Sequence, residues 1–418
     1  RFEGFSVEPL RQHLSELGFT SLVKRLGGAQ AAPQMVYRSG LFDHLTPPAS
    51  DQPAQQAQVV TVGETQQTVF STAADCRYEL IDDPAKLADL VARLKQQKRI
   101  AFDTETDALG AMSANLVGIS LAFEHACGYY IPVLGPLGAR ILPQQQVIDA
   151  LRPVLEDESI QKVGHNLKYD LLVLRRAGIN VRGIALDSMV AAHLLDASRN
   201  RYGIDPLAKD LLGYQKIATE QLLGRGKNQT SMERVPLDRI TLYAAEDADI
   251  ALRLADYLQK RLEEYPDIRR LSDELETPLI EVLADMEQAG IAVDPAILAE
   301  QSAVLGQRID ELRAAITRSA GCDFNPDSVK QLREVLFDRL GLRVVKRTKT
   351  GPSTDEEVLE KLALEHECPR LILQYRTLVK LKNTYLDNLT AFLNPRTRRI
   401  HASFNQIGAA TGRLSCSD

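Results

Sequence analysis

The chain has 418 residues, 44% hydrophobic and 25% charged, with a net charge of −6 and a pI near 5.8. That length carries roughly two or three domains with ample core. The acidic balance excludes a non-specific polycation for nucleic acid, leaves room for a local basic groove, and suits a protein that holds divalent cations.

Cys76, Cys127, Cys322, Cys368 and Cys416 are scattered and form no Cys-x-x-Cys pair. They read as free thiols of a reducing cytoplasm, not as a disulfide frame or zinc site. No run approaches ~18 uninterrupted apolar residues, so no membrane span is expected. The opening "RFEGFSVEPL" lacks Met and the pattern of a signal peptide, and the chain reads as a piece of something longer.

Residues 1–27 have apolar positions at helical spacing and end in Gly-Gly. Residues 28–76 are rich in Ala, Gln and Pro, the composition of a flexible linker. From about residue 77 the pattern alternates. "AKLADLVARLKQQ" is helical, and "RIAFDTE", "NLVGISLAF" and "GYYIPV" are consecutive strands. "QQQVIDALRPVLED" is helical again, "IQKVGH" a short strand, and "LKYDLLVLRRAG" a helix stopping at Gly178. Three strands followed by alternating units predict a mixed sheet covered by helices.

From 265 to 393 the pattern is almost wholly helical, with a capping box expected from Thr354 and Glu357. Residues 394–418 return to strand and turn signals.

Asp103 and Glu105 lie two apart at the end of an apolar strand and therefore share a face. Paired carboxylates repel, and a hard divalent cation such as magnesium or manganese compensates them. Taken alone, the pair also fits a solvated strand end. Asp170 follows Asn166 by four residues inside a helix, which a simple capped helix would also explain. Tyr243 and Asp247 are one helical turn apart, as they would be on a surface acidic helix.

Together, "FDTET", "HNLKYD" and "YAAED" resemble the three motifs of the DnaQ-like proofreading nucleases, in their order and spacing. The third has the Tyr-x-x-x-Asp form, and Leu242 stands where the other branch places His. The resemblance implies a ribonuclease H-like mixed sheet with flanking helices and a two-metal hydrolysis of phosphodiesters. It makes Asp103, Glu105, Asp170, Tyr243 and Asp247 the catalytic set. Asp103 bridges two Mg2+ or Mn2+ ions, Glu105 and Asp247 complete one site, and Asp170 holds the second partly through water. Tyr243 orients the attacking water. Leu109 wedges against the terminal base, and Asn166, Lys168 and Tyr169 line the strand-binding cleft.

The helical half resembles the thumb of the bacterial DNA polymerase I family, the family A DNA polymerases. "GIAVDP", "FNPDSVKQL", "ILQYRTLVKLKNTYLDNL" and "ATGRLSCSD" carry that likeness. It implies that Arg413 contacts the primer-template minor groove and that Arg376 and Lys380 touch the duplex backbone. Lys346, Arg347 and Lys349 would grip phosphates from a thumb tip without sequence preference. Cys416 and Ser417 stand where the family usually has Ser and Thr. Thr219 replaces an aromatic that some relatives carry, which predicts a lost stacking face for single strands. The first 27 residues resemble the tail of the family's 5′ nuclease domain.

The expected division is 1–27 tail, 28–76 linker, 77–262 exonuclease domain, and 263–418 thumb with the beginning of the palm. The Asp-Tyr-Ser motif, the Lys-bearing fingers helix and the His-Asp-Glu turn of the polymerase site are not in the sequence, so no nucleotide addition is expected of it. The expected partner is DNA, as single-stranded 3′ end and as primer-template duplex. A monomer without membrane contact is expected, in the cytoplasm at the nucleoid. Two rivals stand beside this reading: an RNA-trimming nuclease of the ribonuclease D type, which shares the acidic motifs, and an inactive nuclease domain acting as a DNA-binding spacer, against which the intact Asp103, Glu105, Asp170, Tyr243 and Asp247 speak.

Overall fold

The alternating pattern that begins at residue 77 folds into a six-stranded mixed sheet. The computed structural model describes residues 76–226, 229–349 and 351–417. The expectations for 1–27 and for the linker up to residue 75 lie outside them.

In chain order the sheet domain contains β1 (Arg77–Leu80), α1 (Pro84–Leu94), β2 (Arg99–Thr106), β3 (Leu116–Glu124), β4 (Cys127–Pro132), α2 (Gln144–Leu155), β5 (Gln161–Gly164), α3 (Leu167–Ala177) and β6 (Ile184–Asp187). Helices α4 (Ser188–Leu195), α5 (Ile204–Leu212), α6 (Thr219–Leu223) and α7 (Leu237–Glu263) follow.

The strand order is β1-β4-β3-β2-β5-β6. β3 runs antiparallel to both of its neighbours, and β2, β5 and β6 are mutually parallel. β1 is an edge strand that pairs in parallel with β4. Its sequence, RYEL, has too few apolar residues to announce a strand, and the sequence reading passed over it.

Side chains alternate across the sheet. From β2, Ile100 and Phe102 enter the core shared with α2 and α3, whereas Ala101 enters the one shared with α4, α5 and α7. Helix α7 lies close against the strands because its inner face is alanine: Ala244, Ala245, Ala248, Ala251 and Ala255 are buried. Gly128 on β4 completes the fit, since a Cβ there would stand 2.4 Å from the Ala245 carbonyl oxygen.

The helical region contains α8 (Pro266–Leu271), which continues through a wider π turn, Ser272–Glu276, into α9 (Thr277–Ala289). Then come β7 (Ile291–Ala292), α10 (Pro295–Ala320) and α11 (Val329–Arg333), a hairpin of β8 (Arg347–Thr348) and β9 (Gly351–Pro352), α12 (Glu356–Leu362) and α13 (Glu367–Lys380). The chain ends in β10 (Arg399–Ile400), β11 (Ser403–Asn405) and β12 (Ser415–Ser417).

Helices α10, α11, α12 and α13 build a core of their own around Ile316, Leu332, Leu359 and Tyr375. Helix α9 belongs elsewhere: Ile280 and Ala284 pack into the core of the sheet domain.

The expected capping box does not form. Asp355, not Thr354, caps α12, its carboxylate accepting from Val358 N at 3.0 Å. Asp355 stands three residues before Val358, which is the reach an N-cap needs. The five cysteines are unpaired, as expected.

Candidate active site

Asp103 and Glu105 continue the row that begins with Ala101, so strand alternation turns them toward α7. From α7, Tyr243 and Asp247 face them one turn apart. Ligand oxygens of Asp103, Glu105 and Asp247 all lie within 4.8 Å of one another. Glu105, Asp247 and Tyr243 are only 6%, 6% and 7% exposed.

Asp170 joins these three from another element and is the charge that acts most strongly on Asp103. It comes from the first turn of α3, and its Oδ1 accepts from Thr104 N at 2.9 Å and Thr104 Oγ1 at 2.5 Å. The turn before α3 is fixed by Asn166 in left-handed backbone (φ 60°) and by the buried Asp187. The Asp187 carboxylate accepts from Leu167 N at 2.7 Å and also caps α4.

Burial dominates the electrostatics. It pushes the Asp103 carboxyl well above its ordinary range, helped by Asp170, Glu105 and Asp247. Glu105 is pushed up to about 8 by burial and then by Asp247. Burial pushes Asp170 up to about 7 against its two bonds from Thr104. Glu105 Oε1 is buried without a hydrogen-bond partner. Clustered hard oxygens, a shortage of compensating positive charge and an orphaned carboxylate oxygen fit a divalent cation.

The sequence reading missed Lys216, whose side chain is 0% exposed. It is ion-paired with Asp247, its ammonium lies 3.6 Å from Asp205 Oδ1, and it sits 4.2 Å from the centre of the Tyr243 ring. Burial opposes this charge, but Asp247 and Asp205 outweigh it and raise the Lys216 pKa. Burial, with Lys216 nearby, pushes His165 down to about 4, leaving it neutral. Thr219, read from sequence as a lost stacking face, places its hydroxyl 2.8 Å from Tyr243 Oη.

The four expected cleft residues, Leu109, Asn166, Lys168 and Tyr169, line one cavity of about 350 Å3. Leu109 is 97% exposed at its edge. Tyr169 Oη donates to Ala108 O at 2.9 Å. Lys168 is ion-paired with Glu287 of α9, which lines the same cavity.

Among the expected duplex contacts, Arg347, Lys349, Lys380 and Arg413 are exposed. Lys346 pairs with Asp355 at 2.8 Å. Arg376 is half-buried and donates to Thr354 O at 2.6 Å, so its guanidinium is partly committed within the fold.

A buried acid cluster lies at the end of the mixed sheet, and the helical region after it has a core of its own. The 3′-5′ exonuclease family matches residues 78–263 and DNA polymerase family A matches residues 295–418. Over these two stretches the chain is similar to the family A DNA polymerases and to their 3′-5′ exonuclease domains.

It is similar to DNA polymerase I of Pseudomonas aeruginosa, 40% identical over 362 residues, which cover 85% of this chain and 40% of the relative. It is likewise similar to DNA polymerase I of Chloroflexus aurantiacus, 40% identical over 425 residues, 100% of this chain and 44% of that one. The chain thus spans less than half the length of these relatives. Among solved structures, it is similar to the POL domain of Pol1 from M. smegmatis in complex with DNA primer-template and dNTP. The TM-score is 0.67 at 27% identity, covering 81% of this chain and 54% of that one.

Exonuclease domains of this family are divalent-metal enzymes, and the three-acid group is the candidate metal site. No helix among the described residues is long and apolar enough to cross a membrane.

Proposed function

We propose that the chain removes nucleotides from a DNA 3′ end by hydrolysing the terminal phosphodiester, as the proofreading part of a DNA polymerase. The observation that carries this reading is the convergence of Asp103, Glu105 and Asp247 beneath Tyr243. A pair of magnesium or manganese ions, when bound, supplies a hydroxide nucleophile near neutral pH and counter-charge for the departing 3′ oxygen. Asp103, Glu105 and Asp247 would hold one ion, and Asp170, with Asp103, would hold the other. Tyr243 orients the water, with its hydroxyl held by Thr219. Leu109, Asn166, Lys168 and Tyr169 receive the single-stranded end. A mismatched terminus enters at lower cost because less pairing is lost.

Residues 77–262 form the exonuclease domain of this proposal, and 263–418 the thumb and the beginning of the palm. Lys346, Arg347, Lys349, Arg376, Lys380 and Arg413 face duplex phosphates and the minor groove. The protein works as a monomer in the cytoplasm, on nucleoid DNA.

The test is release of labelled mononucleotide from a 3′-labelled primer-template with magnesium, with and without deoxynucleotides. Wild type degrades the primer. Asp103→Ala and Asp247→Ala lose hydrolysis by about a thousandfold or more while still binding duplex. Robust hydrolysis by either variant overturns the reading, and faster hydrolysis of an RNA 3′ end favours an RNA-trimming nuclease.

A further inference from the structure

Lys216 is sealed inside the acid cluster by contacts that look built for it. Glu246, next to Asp247 on α7, accepts from Tyr214 Oη and Ile217 N, each at 2.7 Å, and so clamps the 214–217 segment onto the helix. The Lys216 ammonium donates to Ile217 O at 2.9 Å, pairs with Asp247 and lies against the Tyr243 ring. Burying an ammonium forfeits its hydration and needs compensation. A buried ion pair that merely supports the fold would account for that much. The choice of partners says more, because Asp247 and Tyr243 both belong to the proposed nuclease site.

Resting on the nuclease reading, we propose that Lys216 is a positioning residue and built-in counter-cation of that site. It keeps Asp247 and Tyr243 in register in the metal-free protein and sets divalent-ion affinity through its hold on the Asp247 carboxylate. The argument is electrostatic. Asp103, Glu105, Asp170 and Asp247 repel one another, and one fixed positive charge beside Asp247 relieves part of that repulsion before any metal arrives. The same charge repels an incoming ion, so the ion binds more weakly than the acids alone would hold it.

The test compares full-length wild type with Lys216→Met, which keeps length without charge, and Lys216→Arg, which keeps the charge. Mn2+ is titrated by calorimetry, and melting is followed in EDTA and in Mn2+. Lys216→Met binds Mn2+ about tenfold or more tightly than wild type. Its melting temperature is lower in EDTA, and it gains more from Mn2+ than wild type does. Its kcat at saturating Mn2+ falls about tenfold with little change in KM, because Tyr243 and Asp247 lose register. Lys216→Arg keeps Mn2+ affinity near that of wild type.

Equal loss of melting temperature with and without Mn2+, at unchanged affinity, shows a structural lysine and overturns the proposal. If Lys216→Met fails to fold in EDTA, recovery in Mn2+ supports the proposal and non-recovery overturns it. Wild type that binds no Mn2+ and leaves 3′ ends intact overturns the nuclease reading and this proposal together. Wild type that binds and cleaves, beside a Lys216→Met variant of equal Mn2+ affinity, overturns this proposal alone.

Discussion

Burial pushes the Glu105 and Asp170 carboxyls up to about 8 and about 7, while an unfolded carboxyl titrates near 4. Between about pH 4 and 8 the folded state therefore binds more protons than the unfolded state. The contribution of these groups to stability is complete at the acid end of that window and is lost as pH rises through it. We expect the melting temperature in EDTA to fall from pH 5 to 8, and saturating Mn2+ to cancel or reverse the fall, because metal binds the deprotonated acids. Calorimetric melting across pH checks this, and a flat EDTA profile would show that the carboxyls are not sequestered together. At the same scale, Thr219→Phe trades a hydroxyl for a stacking surface. It should lower KM for single-stranded ends, stacking being worth about 1–3 kcal/mol per base. It should also lower kcat several-fold, since the bond to Tyr243 is worth about 1 kcal/mol. Single-turnover and steady-state rates separate the two effects.

Elements put these residues where they act, and α7 is the decisive one. Its alanine face against Gly128 sets how near Tyr243 and Asp247 come to β2. Gly128→Ala would force the helix outward at a cost of about 1–3 kcal/mol. It should weaken Mn2+ binding as well as stability, measured by urea unfolding and metal titration. In the helical region, Asp355→Ala removes the cap of α12 at about 1 kcal/mol, read as lost hydrogen-exchange protection in its first turn. Glu357→Ala, once expected to matter as a capping partner, removes only an exposed pair with Lys361 and should cost under about 0.5 kcal/mol. Much of this level was legible in the sequence. Apolar runs marked β2, β3 and β4, the strand period put Asp103 and Glu105 on one face, and the helix period put Tyr243 and Asp247 on one face; that the two faces meet was implied only by the family resemblance. What was not legible had no period to betray it. β1 is held by its neighbour and not by its own composition. Lys216 lies in a stretch between helices, and only the folded position of Glu246 shows that this stretch is turned inward. Asp355 won the cap from Thr354 by one residue of register, a margin that sequence spacing does not resolve.

At the scale of the whole molecule, the sheet domain and the region after it are joined through α9. Both lie in one compact unit that runs to the end of the chain. Helix α9 packs on α3, and Arg175 pairs with Asp285 at 2.6 Å across that contact. Glu287 is the node. Its carboxylate pairs with Lys168 of α3 and accepts from Phe404 N of β11 at 2.7 Å, and its carbonyl accepts from His401 Nδ1 at 2.7 Å. Lys168 and Glu287 are only 14% and 6% exposed, so solvent screens the pair weakly. On the proposed nuclease reading, a phosphate entering the cleft would compete with Glu287 for Lys168. Removing one partner leaves a nearly buried charge alone, which costs about 3–5 kcal/mol, whereas replacing both with apolar groups costs far less. Glu287→Met should therefore destabilise the protein by about that amount, and Lys168→Met similarly. The double variant should recover most of the loss, a coupling that a double-mutant cycle in urea measures. Additive losses would show that Glu287 matters for its hold on Phe404 and not for Lys168. Near-zero losses would show that the pair adds little to the apolar contact of Ile280 and Ala284 and to the Arg175–Asp285 pair.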